Sequence, residues 1–457
     1  MLGLGHLDLG GTFNKTLTLT VLLIAFSQFN FGFDQQGYSA TQAMDSFIRQ
    51  FGTINPKTGK HHLDPVWLSF FNGFNYLGQG AGVVIGSWIS NRFGRRMCMF
   101  TMSIWAMVCA TIVLTARSRD QILIGRVFNY IYIGMELAVV PVFQSEIAPE
   151  KSRGFVVGTY QISLFSPRWL ILKDRGDEAM TALRRFREGK YTEEEIQHEY
   201  RTIHDAVHKT VRQGSFVDIF RGTNLKRTYI VAGANFFLQA TGQIFTSIYG
   251  AIYVKSLGTV NPFNITITIA VVNVCTSLLA MVLTDKLGRR TQVFVGASVQ
   301  TAALMTMGGI GTATVLTHSL KSGIIAMMVV FTFGYSLGWA PTSHILSPEI
   351  PNTKARDMTY RTASVLNIAV QFAVSFSLPY LLYEPYAALG SRVGFIFGSI
   401  AAISLVFAYF SVPDCSGRTL EEIDQLFEAH IPPRHFRGTK LDESSVDENV
   451  KALEVSP

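Results

Sequence analysis

Two short stretches decide the fold of this chain: Gly86–Arg96 (GSWISNRFGRR) and Thr284–Arg290 (TDKLGRR). Each follows one apolar run, precedes another, and ends in a glycine and two arginines. The two copies begin almost two hundred residues apart. An apolar chain that repeats a basic loop at matching places in its two halves is typical of a membrane transporter built from structural repeats.

The composition excludes an ordinary soluble protein. Hydrophobic residues make up 48% of the 457 residues and charged residues only 16%, whereas a globular chain has about 25% charged residues. The net charge of +7 comes from basic residues that cluster at the ends of apolar runs and in one central segment. This distribution follows the positive-inside rule and is unlike a nucleic-acid-binding stripe. We therefore predict a multi-pass membrane protein that does not bind nucleic acid.

A helix that crosses the bilayer core needs about 20 predominantly apolar residues. Ten stretches reach this length: Leu17–Gly37, Val66–Ile89, Met97–Ala116, Ile122–Phe143, Thr228–Val254, Phe263–Leu283, Gln292–Leu316, Gly323–Leu346, Thr359–Leu382 and Val393–Val412. The spans and the polar segments between them predict four parts. These are a truncated transmembrane half-bundle (1–165), a cytoplasmic central segment with helices (166–227), a second transmembrane half-bundle (228–412) and a cytoplasmic tail (413–457).

Charge predicts the orientation of the chain. The Arg92–Arg96 loop, the central segment and the Lys286–Arg290 loop should lie in the cytoplasm. Both termini then lie inside and Gln35–Pro65 lies outside. A single Arg-Arg pair would signal topology alone, but the repeated Gly-Arg-Arg pattern favours a functional role.

Further motifs run from one end of the chain to the other, and their order resembles that of the sugar porter family of the major facilitator superfamily, especially the hexose and disaccharide permeases of fungi. The residues that carry the resemblance are Gly32–Gly37 (GFDQQG), Gly125-Arg126, Pro141–Glu146, Arg153-Gly154, Ser166–Leu170 (SPRWL), Gln239–Gln243, Pro348–Ile350, Arg356 and Pro413–Asp424. The resemblance implies an all-α major facilitator fold of two pseudo-symmetric helical bundles. It also implies transport of a sugar by alternating access.

The first half is shorter than this family plan requires. Arg356 to Pro413 is 57 residues and holds two spans, whereas Arg153 to Ser166 is 13 residues, a difference of 44. Two spans need about this length, so we predict that the fifth helix survives as a stub (155–165) and the sixth is missing. Ten spans, arranged four plus six, then replace twelve. Loss of two consecutive helices leaves every later segment on its original side of the membrane.

The alternative is that residues 155–172 cross the membrane as a span of their own. Such a span would bury Arg168, which costs roughly 2.5–3.5 kcal/mol on insertion scales. It would also place the charged central segment outside, against the positive-inside rule. We therefore favour ten spans.

Two ionisable residues fall in apolar spans, where a functional role is the default. Asp34 lies in the first span and Arg126 opens the fourth. In proton-coupled members of the family that the chain resembles, the matching aspartate takes up and releases the proton while the arginine competes for its carboxylate. A neighbouring arginine favours the charged carboxylate and burial favours the neutral one, so such a site can load and release a proton. A fixed ion pair between two helices is the alternative.

Sugar binding requires amide and hydroxyl groups that converge on a cavity. The family positions that contact the sugar correspond to Gln161, Gln239, Asn273 and Asn367, and His344 stands where many members have a tryptophan. Each residue alone is equally compatible with a hydrogen bond between helices. Leu238 and Ile244 replace a family glutamine and a family asparagine, so glucose is in doubt and disaccharides or another polyol stay open.

A third group of charged residues lies in the basic loops and at matching places after them. In the family these charges join the two halves on the cytoplasmic side. The group consists of Arg92, Arg95, Arg96, Glu146, Arg153, Asp285, Arg289, Arg290, Glu349 and Arg356. Asn91 replaces the usual aspartate of the first copy, which predicts a weaker network there. Solvated loop charges are the alternative.

No pattern of a soluble enzyme is present in the sequence. A phosphate-binding glycine loop with a lysine is missing, which disfavours ATP-driven transport. His61, His62 and Asp64 are too few to close a zinc site, and the cysteine spacing implies no disulfide framework. We expect no cofactor and no metal.

The sequence thus predicts a monomeric secondary transporter, in the plasma membrane, that carries a sugar together with a proton. The alternatives are an inactive product of a shortened gene model or splice form, and a nutrient sensor. A sensor is disfavoured because only 33 residues follow Asp424, whereas sensors of this family usually have a long cytoplasmic tail.

Overall fold

The computed structural model describes residues 37–54, 59, 61–147, 180, 184, 193, 197, 216–352, 355–415 and 420–438. Within these ranges the chain is mainly helical. The described strands are Thr53–Ile54 (β1) and His61–His62 (β2), which pair antiparallel with Thr53 opposite His62. Each of these strands has only two residues, so the helical content confirms the prediction of an all-α protein for the described part of the chain.

Fourteen helices with defined bounds follow one another along the described residues. They are α1 Asp45–Phe51, α2 Pro65–Gly73, α3 Asn75–Phe93, α4 Arg95–Leu114, α5 Arg119–Ile147, α6 Gly222–Ala240, α7 Gly250–Leu257, α8 Pro262–Leu287, α9 Arg289–Ile310, α10 His318–Leu337, α11 Trp339–Glu349, α12 Arg356–Leu382, α13 Val393–Ser411 and α14 Leu420–Glu428. Short 3-10 turns occupy Phe216–Phe220, Gly390–Arg392 and Pro433–Gly438, and a π-helical turn occupies Phe245–Tyr249.

The helices coincide with nine of the predicted spans to within six residues at each end. The remaining predicted span, Leu17–Gly37, is the first in the chain and lies outside the described residues except for Gly37. Within the described ranges, seven helical segments are long and apolar enough to cross a membrane: Arg96–Leu114, Arg119–Val139, Pro262–Ala280, Arg289–Ile310, His318–Ser347, Met358–Leu382 and Gly390–Ser411.

Two predicted spans, Val66–Ile89 and Thr228–Val254, are not among these seven. Both bury polar side chains, which lowers their mean hydropathy. Asn72, Asn75 and Gln79 are buried in the first, and Asn235 and Gln239 in the second. A helix that turns polar groups toward protein rather than lipid can satisfy those groups internally.

Three predicted spans are interrupted where the sequence suggested continuous helices. The chain turns at Phe74 between α2 and α3, at Thr241 and Gly242 between α6 and the π-helical turn, and at Gly338 between α10 and α11. Gly242 has a φ of +96°, a conformation that glycine adopts far more readily than other residues. The hydrophobic pattern carried no sign of these interruptions.

The two Gly-Arg-Arg motifs share one backbone conformation. Gly94 joins α3 to α4 with φ 88° and ψ 166°, and Gly288 joins α8 to α9 with φ 86° and ψ 150°. Both lie in a region that is essentially restricted to glycine. The repeat seen in the sequence is therefore also a repeat of local structure.

Contacts divide the chain into two compact units. Unit 1 contains residues 1–213, 247–256 and 371–388, and unit 2 contains 214–246, 257–370 and 389–457. The four parts predicted from the sequence stay a prediction.

Unit 1 is held together by the close approach of α3 and α5. A Cβ atom added at Gly78 would meet the carbonyl oxygen of Val127, and one added at Gly82 would meet that of Ile131. From the other side, a Cβ on Gly134 would meet the carbonyl oxygen of Gln79. Small residues at four-residue spacing let two membrane helices pack backbone to backbone.

We expect Gly82→Ala to destabilise the protein by about 1–3 kcal/mol, because an added methyl group forces apart a contact that has no free space. Gly80→Ala in the same helix is the matched control, since a Cβ there meets nothing within 4 Å. The two variants are compared by thermal unfolding in detergent. Equal midpoints for the two would show that α3 and α5 are not in close contact.

A small apolar cluster joins the first described residues of unit 1 to its helices. It contains Phe47 and Phe51 of α1, Phe71 of α2 and Ile122 of α5. Nearby, the Lys255 ammonium donates to the Asp45 carboxylate at 2.5 Å and to the Ala43 carbonyl at 2.7 Å. The hydrogen bond from Lys255 holds the pKa of Asp45 below its usual range.

Unit 2 is built around α9, which packs against α10 and α13. Its apolar core includes Phe237, Trp339 and Phe407, and it extends to Phe427 of α14 and Phe436 of the last 3-10 turn. The segment after the last span is therefore part of the folded unit.

Candidate functional site

A chain of amide side chains connects three helices of unit 2. Gln239 Nε2 of α6 donates to Asn367 Oδ1 of α12 at 3.4 Å, and Asn367 Nδ2 donates to Asn235 Oδ1 at 3.3 Å. Asn235 Nδ2 then donates to Ser347 Oγ of α11 at 3.0 Å. Two of the predicted sugar-contacting residues, Gln239 and Asn367, are thus brought together.

The contacts of Asn367 are long for hydrogen bonds, whose usual N–H···O distance is about 2.7–3.2 Å. Hydrogen bonds of this length are weak, so they position the amide groups while contributing little stabilisation. Hydroxyl groups of a ligand can replace them without leaving a strong internal bond broken, since an amide offers both donors and acceptors. The arrangement is therefore suited to a polyhydroxyl ligand.

Asn273 belongs to a second polar group in the same unit. Its Oδ1 atom accepts a hydrogen bond of 2.6 Å from Ser336 Oγ of α10. Asn273 is exposed on α8 although it lies within a candidate membrane span. An exposed amide within a span requires a polar neighbour or water, because lipid cannot satisfy it.

His344 and Trp339 both lie on α11 but in different environments. His344 is exposed, whereas Trp339 is fully buried. The indole nitrogen of Trp339 donates to Ser404 Oγ at 3.1 Å, and its ring stacks on Phe237 with the centroids 5.9 Å apart. Trp339 therefore supports the core of unit 2 and does not present a free aromatic face for a sugar ring.

Arg126 is buried near the start of α5, with 2% of its surface exposed. Its guanidinium group lies 3.9 Å from the ring centroid of Tyr38 and 5.1 Å from that of Tyr130. Such contacts stabilise a cation by about 2 kcal/mol or more when both groups are desolvated. The other two predicted residues of this region, Asp34 and Gln161, lie outside the described residues.

In the charge network of the second half, Arg289 Nη2 lies 3.1 Å from Glu349 Oε1. Arg290 instead donates to the carbonyl oxygens of Tyr409 at 2.8 Å and Arg434 at 3.0 Å. Asp285 and Arg356 are helical residues whose side chains are outside the described part of the structure.

The network of the first half is described only in part. The Arg92 guanidinium lies about 6 Å from the ring centroids of Trp88 and Phe93, and Arg96 is exposed. The side chains of Arg95 and Glu146, and the whole of Arg153, fall outside the described residues.

Two features of unit 2 were not predicted from the sequence. Asn235 lies four residues before Gln239 and so shares its helix face, a signal that could have been used. Arg227 is 1% exposed, forms an ion pair with Asp424, and stacks on Phe427 with its guanidinium carbon 4.7 Å from the ring centroid. No pattern around Arg227 predicts that partner, which is 197 residues away.

Together, the helices and their apolar surfaces define an all-α, multi-pass membrane protein. A family model described as "Sugar (and other) transporter" matches residues 20–165 and 166–427. The chain therefore belongs to this family of the major facilitator superfamily. The two matched pieces meet between Phe165 and Ser166, where the sequence predicts missing helices.

Several curated proteins resemble the chain over most of its length. The MFS transporter fmqE of Aspergillus fumigatus is 25% identical, with 90% of this chain and 86% of that protein covered. The high-affinity glucose transporter ght2 of Schizosaccharomyces pombe is 24% identical, with 94% and 91% covered. The first alignment has 464 positions, which is 53 more than the roughly 411 residues that make up 90% of this chain. The relative therefore has residues, about as many as two spans need, without a counterpart here.

Among solved structures, that of the proton:xylose symporter XylE bound to 6-bromo-6-deoxy-D-glucose is similar, with a TM-score of 0.69 and 19% identity. The match covers 91% of this chain and all of that one. It shows the major facilitator fold and confirms the predicted fold class.

Proposed function

We propose that the protein, in its transport-competent form, is a secondary transporter that moves a hexose or a disaccharide together with a proton, by alternating access of two half-bundles around a site near the bilayer midplane. The observation that carries the proposal is the hydrogen-bonded chain from Gln239 through Asn367 and Asn235 to Ser347. The named functions of similar proteins support it, since the ght2 relative is a glucose transporter and the similar XylE structure is that of a proton:xylose symporter. The plasma membrane, cytoplasmic termini and a monomeric state are parts of the same proposal.

Proposed substrate contacts are Gln161, Gln239, Asn273, His344 and Asn367, joined by Asn235. Loss of one hydrogen-bonding amide from such a site leaves a ligand hydroxyl unpaired and costs about 1–3 kcal/mol. We therefore expect Asn367→Leu to weaken sugar binding at least fivefold. Binding of labelled glucose, galactose, xylose and maltose to the purified chain provides the measurement.

Ser298→Ala is the matched control, because the Ser298 hydroxyl donates only to the Phe294 carbonyl of its own helix. Unchanged binding in the Asn367 variant, with every sugar that binds the parent chain, would exclude the amide chain as the substrate site. Binding of none of these sugars by the parent chain would show that the 457-residue chain holds no working site for them.

For coupling, we propose that Asp34 carries the proton and that Arg126 competes for its carboxylate. The burial of Arg126 and its contact with Tyr38, four residues after Asp34 in the chain, support this assignment. In a transport-competent form, Asp34→Asn should abolish uphill uptake and its pH dependence, because an amide cannot take up and release the proton. Sugar binding should persist. Proton-driven accumulation by the Asn variant, measured in liposomes, would contradict the role.

A specific observation favours the second candidate function, a product that does not transport. Helices α4 and α9 both begin at a Gly-Arg-Arg junction, yet 17% of the most apolar window of α4 is buried, against 44% for α9. Helix α9 is covered by α13, whose Gly394 lies against the Leu304 carbonyl. Among the described residues, α4 packs against α3 and α5. The low burial of α4 agrees with loss of a covering sixth helix, and α8 of the second half, with 11% of its window buried, is exposed to a similar degree.

A further inference from the structure

An apolar groove of about 500 Å³ is lined by residues of unit 2. It lies between α6, α12 and α13. Its lining residues are Tyr229, Ala232, Gly233, Phe236, Phe237, Leu366, Ile403, Val406, Phe407, Phe410 and Ser411. The two hydroxyl groups belong to Tyr229 and Ser411, and no residue of this lining carries a charge.

Gly233 lets α6 and the Phe407 ring of α13 pack closely at the wall of the groove. A Cβ atom at this position would run into the ring of Phe407 on α13. Two aromatic residues that line the groove are exposed: Tyr229 is 60% exposed and Phe410 is 57% exposed. An apolar cleft with aromatic walls suits a hydrocarbon chain and offers a sugar almost nothing to bind.

Cations lie beside the end of the groove that Tyr229 and Ser411 mark. Lys226 is exposed and precedes Tyr229 by three residues, so it lies one turn further along the same face of α6. On the α13 side, Arg290 donates to the carbonyl oxygen of Tyr409, two residues before Ser411, and its guanidinium carbon lies 5.2 Å from the centroid of the Tyr409 ring. This is also the end of unit 2 where the basic Gly-Arg-Arg junction lies.

We propose that this groove binds an anionic phospholipid, with one acyl chain between Phe236 and Phe407 and the headgroup phosphate near Lys226 and Arg290. The acyl chain is held by van der Waals packing against the apolar and aromatic walls, because lipid tails are already in an apolar environment. Basic residues near a membrane surface attract an anionic headgroup. The two positive charges beside an uncharged cleft select an anionic lipid over a zwitterionic one. The proposal does not depend on the transported substrate.

The test is a lipid titration of the purified 457-residue chain, read by native mass spectrometry. The probes are palmitoyl-oleoyl phosphatidylserine and the matching phosphatidylcholine. Lys226→Gln should lower phosphatidylserine affinity about fivefold and leave phosphatidylcholine affinity unchanged. Ala232→Trp, which places an indole in the cleft, should lower the affinity for both lipids by about tenfold, since the acyl chain loses the van der Waals contacts of the cleft walls.

The controls are matched in charge and size. Arg117→Gln removes an exposed cation far along the chain from the groove, and Ala270→Trp adds an indole at an exposed position of α8. Thermal unfolding of each variant checks that it is folded. Equal affinity of the parent chain for the two lipids would overturn the proposal, as would a Lys226→Gln effect no larger than that of Arg117→Gln. Retention of both lipids by a folded Ala232→Trp variant would overturn it too.

Discussion

Replacement of Asp424 by asparagine should lower the stability of the protein by about 3 kcal/mol. Arg227 is 1% exposed, and the Asp424 carboxylate is the partner that neutralises its charge. Breaking a buried ion pair on one side costs roughly 3–5 kcal/mol because the remaining charge stays buried. We expect the lower end of this range because the Asp424 side chain is 25% exposed. Equilibrium unfolding in a denaturing detergent measures the difference.

Two further variants test whether the loss of stability comes from the unpaired charge of Arg227. The double variant Arg227→Met, Asp424→Leu should recover most of the lost stability, because it removes both charges together. Glu193→Gln should change stability by less than about 1 kcal/mol, since its pair with Arg184 is half exposed on both sides and such pairs contribute little. If Asp424→Asn unfolds at the same detergent concentration as the Glu193 variant, the Arg227 pair does not hold α14 in place.

The second large effect concerns the junction between Phe165 and Ser166. A form of the chain with roughly 45–50 more residues at this point, enough for two spans, should show saturable sugar uptake into liposomes under an imposed proton gradient. The 457-residue chain should show little or none, because we infer from the sequence that its first half-bundle lacks two helices, and alternating access without them should leak. Sequencing of transcripts across these two codons would reveal whether such a form is made.

A Gly-Ser insert of the same length at the same point is the control for this comparison, because it restores length without spans. It should behave like the short chain. Saturable, gradient-driven accumulation by the 457-residue chain itself would show that ten spans suffice. If every transcript joins the two codons directly, the longer form is not a natural product of this gene.

The spans and the repeat were predictable from sequence because they depend on local properties. The length of an apolar run predicts the length of a helix. In this chain, each of the two Gly-Arg-Arg motifs marks a junction between two helices. Gln239 and Asn367 were predicted by family resemblance, and the structure brings them together. Their link through Asn235 was within reach, since residues 235 and 239 lie one helical turn apart.

Features that depend on distant partners were not predictable in this way. Nothing in the residues around Arg227 indicates that its counter-charge follows the last span. The burial of Trp339 depends on Ser404, which is 65 residues away, so its role in the core could not be told from a role in sugar contact. The interruptions at Gly242 and Gly338 likewise depend on neighbouring helices, because glycine permits a turn without requiring one.

The single-residue junctions have a mechanical consequence. The Gly94 amide closes α3 on the Ser90 carbonyl, while the Gly94 carbonyl already accepts from Cys98 in α4. The Gly288 carbonyl opens α9 in the same way by accepting from Gln292. A connection of one residue leaves few dihedral angles to change, so any change in the angle between α3 and α4, or between α8 and α9, is concentrated at the φ and ψ of one glycine. Each pair therefore consists of two helices joined by a single hinge residue that has no side chain.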